Sequence, residues 1–422
     1  MDPRADPAAF LRGLFDRAVQ AADPMRVLAA HLPPRPQGRV LVIGAGKASA
    51  RMAEAVEAAW GPCEGLVITR HGHARPCEGI EIVEAAHPVP DAAGAQATLR
   101  MLALLDGLGE KDFVLALISG GASALLCAPV QGVTLAEKQA VNAALLASGA
   151  PIGQMNVVRK HLSRVKGGQL AAAAWPARML SLMISDVPGD DPAFIGSGPT
   201  VGDATTPKDA QAVLDHWGIA VPASVTRALQ GGSGVVPPGD PRLSRVENRV
   251  IAAPAQSLDA AAALARQAGC TVEFLGDSLE GEARSVAVDH ARLALSRKAA
   301  RRPGDPPLVI LSGGELTVTR RGNGIGGPNA EFCLALALEL AQEMTPAPGI
   351  HALSCDTDGV DGAAEVAGAV IGPDTLANVP AGQARLALDD NDAHRFLAPL
   401  GAQVVTGPTL TNVNDFRAIL II

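Results

Sequence analysis

Lys47 stands in the run Gly44-Ala45-Gly46-Lys47-Ala48-Ser49, directly after the apolar stretch Val40 to Ile43 and ahead of an Ala-rich helical segment. A lysine beside a helix N-terminus is well placed to clamp an anion, with the bare amides of Gly44 and Gly46 at hand. A second turn, Ser119-Gly120-Gly121-Ala122-Ser123, follows another apolar run. Its glycines let amides approach a phosphate or carboxylate while the hydroxyls of Ser119 and Ser123 donate. Two acidic turns follow further runs, one with Asp186, Asp190 and Asp191 around Pro188 and Gly189, the other with Asp356, Asp358 and Asp361. Three carboxylates in one turn repel unless a metal, a cation or protons relieve them. An EF-hand is excluded, because Val360 and Ala367 stand where its pattern wants a carboxylate or asparagine and a glutamate. Magnesium held by one or two carboxylates plus substrate phosphates suits these turns better. Gly313 and Gly314 close a fourth run, and Gly322, Gly324, Gly326 and Gly327 precede Pro328 and Asn329 at the start of a helix, whose amides would point into the glycine loop. Bare amides with clustered carboxylates suit a polyphosphate and its metal ion, with Asp190 free to orient an attacking hydroxyl. Each motif also has a plain structural reading: glycines for tight packing, aspartates for capping turns.

Residues 156 to 169, NVVRKHLSRVKGGQ, form a basic helix ending at a glycine pair. Arg159 with Lys166, and Lys160 with Arg164, make two basic stripes. Arg159, Lys160 and Arg164 are candidates for holding a substrate carboxylate; the alternative is a solvated face. The first glycine loop also half-matches a dinucleotide fingerprint, but Ser49 replaces its third glycine and the next strand ends in Thr69 and Arg70, where an acid is expected. Arg70 would suit an NADP phosphate, so an NADPH-dependent reductase is the competing class. A Walker A loop fails, because Leu41 occupies its first glycine position.

These turns need strands to present them. Val40 to Ile43, Leu66 to Thr69, Ile80 to Val83, Val114 to Ile118 and Met179 to Ile184 alternate with helical stretches, which implies a doubly wound parallel sheet. Residues 7 to 30 read as helical. The stretch QGGSGVVPPGDPR at 230 to 242 reads as a linker and hinge, dividing domains at 1 to 240 and 241 to 422. Beyond it Val250 to Ala253, Thr271 to Leu275, Leu308 to Leu311, Glu315 to Thr319, Ala352 to Cys355 and Gln403 to Thr406 read as a second sheet. The chain of 422 residues has 48% hydrophobic residues and a formal net charge of −8. That composition gives a globular protein without the basic field a nucleic-acid partner demands. Its six cysteines contain no CxxC pair, as expected for a reducing compartment. The uncharged run Phe113 to Ala136 is broken by Ser119, Gly120, Gly121, Pro129 and Gly132, so no membrane span is expected, and the N-terminus lacks signal-peptide character. Cytoplasmic localisation is the default.

In order along the chain, VIGAGKAS, LISGGASALL, NVVRKHLSRVKGGQLA, ISDVPGDDPAFIGSGPTVGD, LSGGELTV, GNGIGGPNAEF, DTDGVDG and TGPTLTNVNDF resemble the class II glycerate kinases, the MOFRL family whose members are often labelled hydroxypyruvate reductases. The resemblance runs from about residue 8 to the end. It implies a larger Rossmann-like doubly wound domain and a smaller α/β domain with a mixed sheet, the MOFRL region covering about 306 to 416. It further implies phosphorylation of D-glycerate by ATP with a divalent metal, chiefly at the 2-hydroxyl, in an interdomain cleft, with Lys47 a catalytic phosphate contact and room for a homodimer. One departure matters. The family often continues its glycine loop as GGRNQE, with an arginine thought catalytic, where this chain has Pro328 and Ala330. Arg159, Arg164, Arg320 and Arg321 are candidate replacements.

Overall fold

The computed structural model describes residues 2–341 and 349–422. It comprises two compact units, a larger one of Pro24–Ile251 and a smaller one of Met1–Asp23 with Ala252–Ile422.

The larger unit is built on strands β1 (Val40–Ala45), β2 (Glu64–Arg70), β3 (Ile80–Ala85), β4 (Phe113–Ser119), β5 (Arg178–Ile184) and β6 (Val246–Ala252), in the order β3-β2-β1-β4-β5-β6. The pairs β1/β2, β2/β3, β1/β4 and β4/β5 are parallel. Strands β1 and β4 are buried at every position, which is why both read as unbroken apolar runs rather than as alternation. Helices Ser49–Trp60 and Ala92–Leu105 turn Met52, Ala53, Ala97 and Met101 inward. The chain moves outward from β1 to β3 on one side and resumes at β4 on the other, so the strand order reverses between β1 and β4. In open α/β sheets that is where ligands bind.

The smaller unit contains β7 (Thr271–Phe274), β8 (Gly281–Glu282), β9 (Leu308–Gly314), β10 (Leu316–Thr317), β11 (Ile350–Asp356), β12 (Gly368–Ile371), β13 (Gln403–Val404) and β14 (Asp415–Ile421). Six of them form a sheet ordered β13-β12-β11-β14-β9-β7, and β8 pairs with β10 apart from it. The sheet is mixed: β7/β9 is parallel, and β9/β14, β11/β14, β11/β12 and β12/β13 are antiparallel. Strand alternation sends Phe416, Ala418 and Leu420 into a core with helices Pro7–Ala21 and Pro254–Gln267. Ile419 and Ile421 face helices Ala283–Ala299 and Pro328–Ala341.

Three expectations change. The strand expected over Val250 to Ala253 belongs to the first sheet, as the end of β6, so the glycine- and proline-rich stretch 230 to 242 lies inside the larger unit. The units divide at 251/252 rather than at 240/241. The N-terminal helix joins the smaller unit because Phe10, Leu11, Leu14, Phe15 and Ala18 pack against Leu258, Ala261 and Ala262. β14, which the sequence reading omitted, is an interior strand of the second sheet. Phe113 begins β4, and no helix among the described residues is long and apolar enough to cross a membrane.

Candidate active site

At the reversal between β1 and β4 the first glycine loop is locked to the second. Gly46 donates its amide to Ile68 O (3.1 Å) and Lys47 donates to Gly120 O (2.8 Å). Ala48 N donates to Ser119 Oγ (3.0 Å), and Ser49 Oγ to Leu117 O (2.9 Å). A Cβ on Gly46, whose φ is 141°, would overlap Ser119 Oγ, and one on Gly44 would overlap Leu117 O. The glycines therefore bring β1 and β4 into contact, and their amides are spent on the protein. Ser119, fully buried, is spent with them. This corrects the expectation that Gly44, Gly46 and Ser119 cradle phosphate. It also weakens the dinucleotide alternative, which needs those amides for a pyrophosphate.

What the loop presents is Lys47 itself. Its half-buried side chain runs past Gly121, where a Cβ would sit 3.2 Å from both Lys47 Cγ and His87 Cδ2. His87, absent from the sequence reading, stands at this position only through the fold. Beyond Gly121, Ser123 Oγ lies 2.8 Å from Ser197 Oγ, which donates to Asn156 Oδ1 at 3.2 Å. Lys166 Nζ donates to Ser123 O (2.9 Å), Gly196 O (3.3 Å) and Ser123 Oγ (3.4 Å), tying these turns together. Ser197 is held at φ 65°, a left-handed backbone unusual for a side chain with Cβ.

The acidic turn after β5 is adjacent, since Ser119 pairs with Ile184 in the β4/β5 register. Asp190 also has a left-handed backbone, φ 55°, and its Oδ1 is buried without a hydrogen-bond partner. Strain together with an orphaned carboxylate oxygen marks a group kept for something other than stability. Asp191 is exposed and caps Ala193 N at 2.9 Å, and Asp186 is half-buried. The three substrate candidates separate. Lys160 pairs with Asp203 and lies over the Phe194 ring at 5.6 Å, and Arg164 is exposed. Arg159 is half-buried, and burial lowers its pKa.

In the smaller unit the glycine loop is spent as well. The amides of Arg321 and Gly322 donate to Asn391 Oδ1 (2.7 and 3.0 Å), Asn323 N to Asp390 Oδ1 (2.8 Å), Gly324 N to Asp390 O (2.8 Å) and Gly326 N to Asn391 O (2.9 Å). Side chains at 322 or 324 would collide with that backbone. The helix Pro328–Ala341 is capped from within: Asp361 accepts from Asn329 N (3.0 Å), Ala330 N (2.8 Å) and His394 Nε2 (2.8 Å). Asn329 is fully used, donating to Asp415 Oδ1 (2.7 Å) and accepting from Ser354 Oγ (2.5 Å). Asp415 in turn pairs with buried Arg417 at 3.1 Å, and burial pushes its carboxyl up to about 6. Arg417 also bonds the carbonyls of Gly313 and Gly314, while Gly313 N donates to Gly276 O (2.9 Å). The amides of Gly313, Gly322, Gly324, Gly326 and Asn329, expected to hold phosphate, and both oxygens of Asp361, expected to hold metal, are thus occupied within the fold. These groups build the fold. Asp356 Oδ1 accepts from Asp358 N (2.9 Å) and Asp358 Oδ1 from Val360 N (2.8 Å), so both keep one oxygen for their turn. Among the described residues, no group of three or more His, Cys, Asp or Glu is arranged to hold a metal ion.

Comparison with known proteins places this geometry in a family. A domain of unknown function, DUF4147, matches residues 10–230, and the MOFRL family matches 308–415. A D-glycerate 2-kinase of Thermotoga maritima is 39% identical over 97% of both chains. A crystal structure of glycerate kinase from that organism superposes with a TM-score of 0.85 at 37% identity, covering 98% of this chain and 99% of the other. The chain belongs to the MOFRL glycerate 2-kinase family. A protein of Agrobacterium vitis, 51% identical over 97% of this chain and 94% of its own, carries the provisional name hydroxypyruvate reductase, so both labels occur among relatives of this family member. Pro328, where the family often has arginine, starts its helix as the sequence implied. Of the candidate replacement cations, Arg320 donates to Gly324 O (2.6 Å), and Arg164 and Arg321 are exposed. The sequence reading also missed Lys138, buried on the helix Leu135–Ser148. Its signal was present: Lys138 occupies the apolar stripe with Val141 and Leu145, where a lysine is out of place.

Proposed function

We propose that this member of the MOFRL family transfers the γ-phosphoryl group of ATP to the 2-hydroxyl of D-glycerate. The observation that carries the reading is the spent first loop. Its amides offer nothing to a dinucleotide pyrophosphate, whereas Lys47 and the orphaned Asp190 suit phosphoryl transfer, which asks for charge neutralisation and an oriented acceptor. The glycerate oxygen bonds to the γ-phosphorus as the bond from that phosphorus to the β–γ bridging oxygen breaks, and ADP leaves. The hydroxyl proton passes to the Asp190 carboxylate, and the Lys47 ammonium offsets charge on the transferring oxygens. Gly120, Gly121 and Ser123 line the remaining approach to phosphate. A magnesium ion arriving with the nucleotide needs only one or two protein carboxylates. Asp186 and Asp191, on the same turn as Asp190, would supply them and offset the charge of the polyphosphate.

The names of both glycerate kinase and hydroxypyruvate reductase relatives support an acid of three carbons as the substrate. One coupled assay separates the two classes. Glycerate-dependent release of ADP is the expected result; NADPH oxidation by hydroxypyruvate without ADP release would overturn it. Lys47→Ala should lower kcat/KM about 10²- to 10³-fold, the usual effect of losing one charge-stabilising group, with an unchanged thermal midpoint.

A further inference from the structure

Among the described residues, three cations of the larger unit have no acid to answer them. Lys138 and Lys166 are 2% and 1% exposed, and Arg159 lies half-buried on the helix Ile152–His161. Lys138 Nζ donates to Leu162 O at 2.8 Å, and Lys166 Nζ is saturated by Ser123 and Gly196. Among the described residues the Arg159 guanidinium donates to nothing, and none of the three meets a carboxylate. Asp203 is taken by Lys160. The three lie close enough to repel. Burial first, and then Lys138, Arg159 and Lys160 among its neighbours, lower the pKa of Lys166. Burial pushes Lys138 down to about 8, against an upward pull from Cys127 and with a lesser downward push from Arg159. Like charges gathered out of water are unfavourable until an anion joins them. The hydroxyl pair Ser123 and Ser197 stands beside Lys166, its protons already engaged through Ser197 on Asn156, so the charge on an incoming oxyanion is left to the cations.

We propose that Lys138, Arg159 and Lys166 form the pocket for the substrate's carboxylate, with Arg159 in direct contact and the two lysines supplying positive potential. Lys166 is a positioning residue, fixing the Ser123 and Gly196 turns. The pocket selects a small hydroxy acid over the corresponding polyol, because glycerol leaves all three charges unanswered. Naming that acid glycerate rests on the kinase reading above. A nucleotide phosphate offers similar oxygens, so the test must separate the two sources.

The experiment titrates intact protein calorimetrically with D-glycerate, glycerol and a non-hydrolysable ATP analogue, in wild type, Arg159→Met and Lys138→Met, each first checked for an unchanged thermal unfolding profile. D-glycerate should bind and glycerol should not. Arg159→Met should weaken glycerate about tenfold or more, the usual cost of a lost charge-assisted hydrogen bond. Its affinity for the ATP analogue should hold, and in turnover its KM for glycerate should rise more than its kcat falls. Unaltered glycerate affinity in both variants, glycerol binding equal to that of glycerate, or selective loss of the ATP analogue would each overturn the proposal. Failure of the kinase reading is read elsewhere, as a wild-type enzyme that makes no ADP from glycerate and ATP.

Discussion

Asp190 and Lys138 violate simple rules of protein interiors, and each violation points to chemistry. A carboxylate oxygen without a partner on a left-handed backbone costs stability at two levels. Asp190→Asn keeps the shape and removes the base. Its kcat should fall about 10²- to 10⁴-fold, and its denaturant midpoint should rise or stay level; a lowered midpoint with full turnover would return Asp190 to a structural role. Lys138 faces Cys127, Arg159 and Lys166, and its folded pKa of about 8 lies below the ordinary 10.5. Between those values the folded chain binds fewer protons than the unfolded one, so its contribution to stability improves as pH rises through that window. The effect on an anion is opposite, because the charge is lost above about 8. KM for glycerate should therefore climb above that pH in wild type and climb less in Lys138→Met, as steady-state kinetics across pH 7 to 9.5 would reveal.

Elements explain why so many glycine turns are not ligand sites. The stretch 321 to 326 gives its amides to residues 390 to 392, and the helix Pro328–Ala341 gives its first amides to Asp361. A helix N-terminus binds an anion only while its amides are unspent, and here the anion is the protein's own carboxylate, backed by His394. Asp361→Ala should cost about 2 to 3 kcal/mol, a buried cap plus a further buried hydrogen bond, seen as a lowered urea midpoint. The magnesium dependence of turnover in the remaining folded enzyme should not move. A shift in that dependence at unchanged stability would instead make Asp361 a metal ligand.

At the scale of the whole molecule, each unit is a sheet faced by helices, but the smaller one is assembled from both ends of the chain. Phe10, Leu11, Leu14 and Phe15 are buried against residues some 250 positions later. At about 1.5 to 3 kcal/mol for each large apolar side chain, their burial contributes about 6 to 12 kcal/mol, comparable to the entire stability of a domain. A fragment spanning 252 to 422 should accordingly aggregate on expression, and adding residues 1 to 23 in trans or by fusion should restore a cooperative thermal transition. A soluble, cooperatively folding fragment without the helix would contradict this account.

Strand and turn alternation, the parallel character of the first sheet and the family itself were legible in the sequence, because buried strands write unbroken apolar runs and the eight motifs come in order. Lys47 and Asp190 could be nominated from the sequence, since residue type and a position just after a strand suffice for that. The fate of the backbone amides was not legible. Ala48 finds Ser119 71 positions away, and Arg321 finds Asn391 70 away, and a glycine turn spells the same whether it faces a ligand or another turn. Hydrogen-bond satisfaction and charge neutralisation depend on neighbours distant in the chain. Only the folded arrangement could distinguish Asp361, whose oxygens are occupied, from Asp190, whose Oδ1 is not, and gather Lys138, Arg159 and Lys166 without an acid among them.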